Sequence, residues 1–363
     1  NCVAIGVSAL SLNVTAENTA VGAYALDANT SGGANVAVGS GALGANVGGA
    51  YNVAIGNGSQ DAATGASNNV SMGYNSLSGS SGNNNTAVGH QCMKNSTSTY
   101  STAMGYNALT GAGGDYACAF GMNAGAANTG NSNVFIGYDA GTANSSGTRN
   151  LAIGMDAYDA SDTENDNIAI GFEAMHTNTA GGTQCVALGN YALDVNTSGD
   201  RNLAFGHHAL GGMTNGNNNI GIGHGTGTHT SVLATGERNI LIGSIADTSS
   251  ASSNQQYVMG YDVVGNADNS FVFGYEATDS AIAFGATSIS APSDIRLKEN
   301  INDDVAGLSF INDLRPVTFN WKKEKDIPEE MKAYKAGSEK RYNNDKLNHG
   351  FIAQEVKEVI DNH

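Results

Sequence analysis

The sequence predicts a mainly β protein: a repetitive β-roll or β-solenoid with coils of about 17 residues, expected to form a homotrimeric rod, followed by a small α+β module. Three observations lead there. One glycine recurs at 6, 22, 39, 56, 73, 89, 105, 121, 137, 154, 171, 189, 206, 223, 243, 260, 274 and 285. The residue types around it keep fixed offsets. The composition then changes at Pro292 and Ser293: only Lys94, Arg149, Arg201 and Arg238 of the 16 Lys and Arg precede Ser293, and Pro292, Pro316, Pro328 and Trp321 all lie at or beyond the junction. The expected domains are therefore residues 1–290 and 293–363.

Within the repeat, the residue before the glycine is large and apolar (Ile5, Val21, Ile55, Met104, Phe120, Ile153). Ala often precedes it (Ala20, Ala37, Ala54, Ala152), and Asn stands four before the glycine in eleven of the eighteen copies, so it belongs to the unit. Three after the glycine come Ala-Leu pairs such as Ala25-Leu26, Ala42-Leu43 and Ala192-Leu193. A fixed period of this length means stacked units, each unable to bury its apolar face alone. The unit reads as a short Asn-x-Ala-Ile/Val strand, a turn at the glycine, a second short strand and a polar connection. Helix is disfavoured because a glycine in every coil costs about 1 kcal/mol in a helix interior. Eighteen coils at ~4.8 Å each would make a rod on the order of 80 Å long. A buried row alternating one large residue with Ala supplies little apolar volume, which favours thin coils packed against other copies. Stacked Asn side chains would form an amide ladder, or else mark left-handed turn positions.

The formal charge of −17 is uneven: 19 acidic against 4 basic residues up to 292, then 14 against 12. A Lys-poor, acidic surface argues against nucleic acid, since phosphate binding needs clustered cations. No apolar run approaches the ~20 residues of a membrane span, so no membrane insertion is expected. Asn1 in place of Met leads us to expect an upstream segment. Cys2, Cys92, Cys118 and Cys185 lack a Cys-x-x-Cys spacing and read as small fillers in place of Ala or Asn. His207, His208, His224 and His229 lack ligand partners at metal spacing and read as solvated turn residues. Asp159, Asp162, Glu164 and Asp166 lack the glycine and terminal Glu of an EF-hand and read as a solvated loop. No cofactor and no metal are expected.

In the terminal module, apolar residues at 308, 310/311 and 314 fit a short helix ended by Arg315-Pro316. Val317-Thr318-Phe319-Asn320-Trp321 alternates like a strand. A charged loop over 322–347 has a helical turn after Pro328. An amphipathic helix follows Gly350, with its stripe at Ile352, Val356, Val359 and Ile360.

The coils resemble the heads of trimeric autotransporter adhesins and the β-structured shafts of some phage tail fibres, with a period longer than the adhesin head by a few residues. Ser-Asp-Ile-Arg-Leu-Lys-Glu-Asn-Ile at 293–301, Leu-Arg-Pro-Val-x-Phe-x-Trp at 314–321 and His-Gly-Phe-Ile-Ala-Gln-Glu-Val at 349–356 resemble the intramolecular chaperone auto-processing domain. That family ends phage endosialidases, tailspikes and tail fibres, and also occurs in a membrane-tethered eukaryotic transcription factor. The resemblance implies a module that trimerises, guides folding of the trimer upstream, and cuts the chain between Pro292 and Ser293. It further implies Ser293 as nucleophile and Lys298 as its general base, with His349, Gly350, Gln354 and Glu355 as the second motif; further helix would be expected after His363. A lysine can act as base where desolvation or neighbouring charge lowers its pKa. The expected function is a phage tail fibre for host attachment, located extracellularly on the virion, with a host-cell receptor (glycan or protein) and other tail proteins as partners. The alternatives are a bacterial surface adhesin at the cell surface and a glycan-degrading tailspike.

Overall fold

The computed structural model describes residues 1–79, 82–111, 113–178, 181–276, 279–285, 308–331 and 333–362. The chain divides into two compact units, 1–292 and 293–363, at the composition change.

In the first unit, fifteen three-residue strands run from β1 (Val3–Ile5) to β15 (Ile240–Ile242). They are followed by β16 (Gln256–Tyr261), β17 (Ser270–Tyr275) and β18 (Ser280–Ala283). Strands β1 to β17 stack in parallel and in chain order, with equivalent residues opposite one another: Ala20 faces Ala37, and Ala37 faces Ala54. One parallel strand per repeat requires the rest of each repeat to travel round and return, which makes the unit a β-solenoid. Strand β18 departs from this order and pairs antiparallel with β17. The eighteenth glycine, Gly285, therefore closes no coil. Its interval of 11 residues is too short to circle the solenoid, and the chain folds back as a hairpin instead.

Two sequence expectations are corrected. The second strand is missing among the described residues of the regular coils. After each framing glycine the chain instead turns, with every second residue in the left-handed region: φ is +59° at Tyr24 and +51° at Leu26, +57° at His208 and +49° at Leu210. This conformation is unfavourable for bulky side chains and is held by bonds to both neighbouring coils. The Tyr24 N–H donates to Val7 O at 2.8 Å, and the Leu26 N–H to Ala42 O at 3.0 Å.

The second correction concerns burial. In a three-residue strand only the central side chain points inward. Ala20, Ala37, Ala54 and Ala152 are accordingly fully buried, whereas Ile5, Met104 and Phe205 are exposed. The large residue before the glycine thus forms an outer row. The interior is built from the strand-centre Ala and the turn pair after the glycine, such as Ala25-Leu26 and Ala192-Leu193. Where one inward place departs from the pattern, its neighbours compensate. Phe135 occupies a strand centre, and the turn places beside it are Gly125 and Gly141, where an added Cβ would lie 2.6 Å and 2.1 Å from the ring.

The Asn column forms a ladder of a kind not anticipated. Each side chain bonds mainly to the backbone of the next coil rather than to the next amide. The Asn35 N–H donates to Asn18 Oδ1 at 2.9 Å and the Asn52 N–H to Asn35 Oδ1 at 2.9 Å. Asn35 Nδ2 donates to Gly49 O at 2.8 Å and Asn52 Nδ2 to Ala66 O at 2.8 Å. Asn52 Nδ2 also reaches Asn35 Oδ1 at 3.1 Å. Such pairing satisfies buried main-chain groups at the coils that carry the Asn. The left-handed residue is the one before the Asn, as at Ala34 and Tyr51, so turn preference does not explain the Asn. Cys185 takes the same place: its Sγ accepts the Asn202 N–H at 3.5 Å and its S–H donates to Gly199 O at 3.1 Å. Burial pushes its thiol up to about 11 and that of Cys92, at an Ala place, up to about 12, which suits fillers. A second column, unnoticed in the sequence, stands seven after the glycine: Asn46 Nδ2 donates to Asn29 Oδ1 at 3.0 Å, and Asn144 Nδ2 to Asn128 Oδ1 at 2.7 Å.

The framing glycines hold φ between +132° and +144° from Gly6 to Gly260, and an added Cβ would stand 1.9 to 2.6 Å from the carbonyl oxygen of the next framing glycine. Gly154→Ala, whose Cβ would meet Gly171 O at 2.3 Å, is expected to destabilise the rod by more than ~2 kcal/mol in denaturant unfolding. Gly65→Ala, with nothing within 4 Å, should stay within about 0.5 kcal/mol of the parent.

Candidate chaperone module and cleavage junction

The second unit is assembled from short pieces. Helix α1 (Leu308–Asp313) ends before Pro316, which cannot continue it. Strand β19 (Val317–Phe319) follows, then a 3-10 turn at Glu324–Asp326 and a turn in which the Met331 N–H donates to Pro328 O at 3.0 Å. Strand β20 (Asn348–Gly350) precedes helix α2 (Ala353–Asn362). Strand β20 was not expected, since the run Asn348-His349-Gly350 has no apolar alternation. It forms because it pairs antiparallel with β19, Thr318 opposite His349 and Val317 opposite Gly350.

That pairing brings together two of the motifs that are apart in sequence. His349 and Gln354 are exposed, Gly350 and Glu355 half-buried. The Arg315 guanidinium grips Glu355 with both ends, Nε to Oε2 at 3.0 Å and Nη2 to Oε1. This pair ties the start of β19 to the first turn of α2. It holds the Glu355 carboxyl below its usual range, chiefly through the hydrogen bond. Asp313, Arg315, Glu355, Glu358, Val359 and Asn362 line a cleft of about 350 Å³ here. Arg315 was not singled out from sequence, although it lies inside the Leu-Arg-Pro motif.

A second cluster holds the charged loop. Glu324, only 6% exposed, accepts from Lys335 Nζ at 2.9 Å and Ser338 Oγ at 2.7 Å, while its N–H donates to Lys340 O at 2.8 Å. Lys323 and Lys325 both donate to Glu339. Trp321 packs edge-on against Phe319 and Tyr342, at ring separations of 5.2 and 5.5 Å. Its Nε1 is buried with no acceptor among the described residues, beside a 370 Å³ apolar pocket that includes Ile327, Pro328, Met331 and Tyr342. Helix α2 buries none of its residues, and Ile352 and Ile360 are exposed.

Pro292, Ser293 and Lys298, the expected cleavage bond and dyad, lie outside the described residues. On the rod, His207 and His224 occupy one column in adjacent coils and stack at 5.3 Å, and His90 stacks between Tyr74 and Tyr106. His229 lies 3.9 Å from Asp262. No three His, Cys, Asp or Glu among the described residues converge to hold a metal ion, and no helix among them is long and apolar enough to cross a membrane. The acidic stretch is more ordered than a solvated loop. Glu164 is buried and its Oε2 accepts from the Asp162 and Thr163 N–H groups, while Asp166 pairs with Arg149 at 2.5 Å.

The module's ion pairs make its stability depend on pH. Glu324, Glu339 and Glu355 all have carboxyls lowered by hydrogen bonds from Lys or Arg, Glu339 to about 2. A carboxylate lowered on folding stabilises the fold above its unfolded pKa of about 4.3, and that contribution is lost as pH falls through the folded value. The unfolding midpoint of the module, followed by Trp321 fluorescence, is expected to hold from pH 7 to about 5 and to drop steadily between about pH 4.3 and 2. In Glu339→Gln the drop should be smaller.

Residues 293–363 match the family model described as Chaperone of endosialidase. A comparison with curated proteins and one with solved structures find no match. The chain therefore joins a long β-solenoid to a C-terminal domain of the endosialidase-chaperone type.

Proposed function

We propose that the chain is a homotrimeric tail fibre for host attachment, whose C-terminal module directs assembly and then severs the Pro292–Ser293 bond. The observation that carries the assembly is an uncharged outer ribbon. The residues three and one before each framing glycine, and the residue after it, include no Asp, Glu, Lys or Arg from Val3 to Tyr275. Many of them are large, apolar and exposed, among them Val38, Val70, Met72, Met104, Ile136, Phe205 and Met259. An uncharged face of this length, with exposed apolar side chains recurring along it, exceeds the patches that soluble monomers expose. Its repeat spacing is matched by another copy of the same rod, with closed rotational symmetry as the economical arrangement. The module adds a second unburied apolar surface in α2. A host receptor and the neighbouring tail proteins are proposed as further partners, at the surfaces left outside the ribbon.

In the proposed cleavage, Ser293 Oγ attacks the Pro292 carbonyl carbon while Lys298 takes the hydroxyl proton. The peptide C–N bond breaks as an ester forms, and the freed Ser293 nitrogen receives the proton. Water then hydrolyses the ester, leaving a Pro292 carboxylate and a restored Ser293 hydroxyl. A neutral Lys298 amine is required, which desolvation on assembly would favour.

Light scattering of the uncleaved Ser293→Ala protein should give three times the 36.9 kDa chain mass. Met104→Asp with Ile136→Asp, at exposed ribbon places, should lower the trimer fraction by at least tenfold while leaving the circular dichroism of the coils in place; a monodisperse, fully folded monomer from the parent chain would refute the assembly. On a denaturing gel the parent should give two bands, and Ser293→Ala or Lys298→Ala one. Cleavage that survives Ser293→Ala would remove the dyad.

A further inference from the structure

The inward column of the rod is apolar at almost every coil, but not throughout. Buried apolar side chains fall into two separate clusters, one from Ala20 to Ala54 and one from Leu77 to Val272. Between them the strand-centre and turn-pair places are polar, Ser59 and Gln60 after Gly56, Ser71 at the centre of β5 (Val70–Met72) and Ser76 after Gly73, and the buried Ala63 and Ala66 join neither cluster. All four polar residues are fully buried. Ser59 and Ser71 bond to each other at 2.6 Å, and Ser76 Oγ donates to Ala87 O at 3.0 Å. Gln60 is poorly served. Its Nε2 reaches Asn52 Oδ1 at 3.3 Å, and its Oε1 is buried with no donor among the described residues.

The strand stack runs through this region without a break. Strand β4 (Val53–Ile55) pairs in register with β5, and β5 with β6 (Thr86–Val88). The Asn column also continues, with the Asn69 N–H donating to Asn52 Oδ1 at 3.0 Å and the Asn85 N–H to Asn69 Oδ1 at 2.8 Å. The strand stack and this Asn column are thus unbroken, whereas the second column lapses at Ala63, which stands seven after Gly56 where Asn29 and Asn46 stand in the coils before. A buried acceptor without a donor costs free energy, and serine and glutamine supply less apolar contact than the Ala-Leu pair they replace. In a stacked repeat, cooperativity passes through nearest-neighbour interfaces, so a weak interface divides the array.

We infer that the rod is built as two cooperative blocks, with a packing boundary across Ser59, Gln60, Ser71 and Ser76 that lets residues 1–56 open as a unit while the coils from Leu77 onward remain closed. The boundary gives the rod a defined place to yield under bending or pulling, because opening stops at the polar coil instead of propagating.

Hydrogen–deuterium exchange of the full chain, read by mass spectrometry, tests this. Backbone amides of β2 (Thr19–Val21), β3 (Val36–Val38) and β4 are expected to exchange as one group, at least about tenfold faster than those of β6 and β7 (Thr102–Met104), with the step between Gly56 and Leu77. The variant Ser59→Ala/Gln60→Leu/Ser71→Ala/Ser76→Ala, which restores the residues commonest at these places, should bring the two groups within about threefold of each other. Ser71→Ala alone should narrow the step and guards against misfolding of the fourfold variant. Equal protection on both sides in the parent would overturn the inference. So would a smooth decline toward Asn1, which is ordinary end fraying, or a step that the variants leave unchanged.

Discussion

Everything in the rod depends on how closely one coil can lie on the next. The framing glycines set that distance. Their carbonyl oxygens stand where a Cβ of the preceding glycine would be, and their φ lies in a region that other residues rarely adopt. Only with the backbones in this contact can a three-residue strand, too short to be stable alone, find a partner on both sides. The Asn column works at the same spacing. At Asn133, Asn150 and Asn167 the Oδ1 accepts the N–H of its counterpart one coil on, and at Asn150 and Asn167 the Nδ2 satisfies a carbonyl of the next turn, so the return path of these coils is tied without charge.

This economy has a consequence for assembly. The inward side chains are mostly Ala, joined in many coils by one Leu or Met, a core too thin to hold the larger residues of the strand, which face outward. The same alternation that buries Ala152 turns Leu151 and Ile153 to the other face. A polypeptide with 19 acidic residues before Ser293 keeps all of them off that face. The module shows the same economy in miniature. Its helix α2 is held by the Arg315–Glu355 grip and little buried apolar surface, and exposed ion pairs contribute modestly to stability. Both units thus leave apolar surface open, which is the common physical ground for reading the chain as one component of a larger assembly.

How much was legible in advance depended on whether the cause was local. The recurring glycine has a local cause, a backbone geometry closed to other residues, and so the coil length and the solenoid class could be read from spacing. The fold-back at β18 could also have been read, since the interval of 11 residues was visible and too short for a coil. The turn after the glycine could not. Leu26, Leu43 and Leu210 carry no preference for positive φ, and they adopt it because inter-coil hydrogen bonds and burial outweigh the local cost. For the same reason His349 and Gly350 gave no strand signal, and Arg315 no sign of its partner 40 residues away.

By itself the sequence determined the period, the change of material at Pro292 and Ser293, and the motifs of the terminal module, because each is written in residue identity and spacing. The tertiary structure alone decided which face of the strand is inside, what each Asn bonds to, and where the core is interrupted at Gln60. Those outcomes depend on which groups meet across coils some 17 residues apart. Burial and hydrogen-bond satisfaction belong to the stacked whole, and no single repeat carries them.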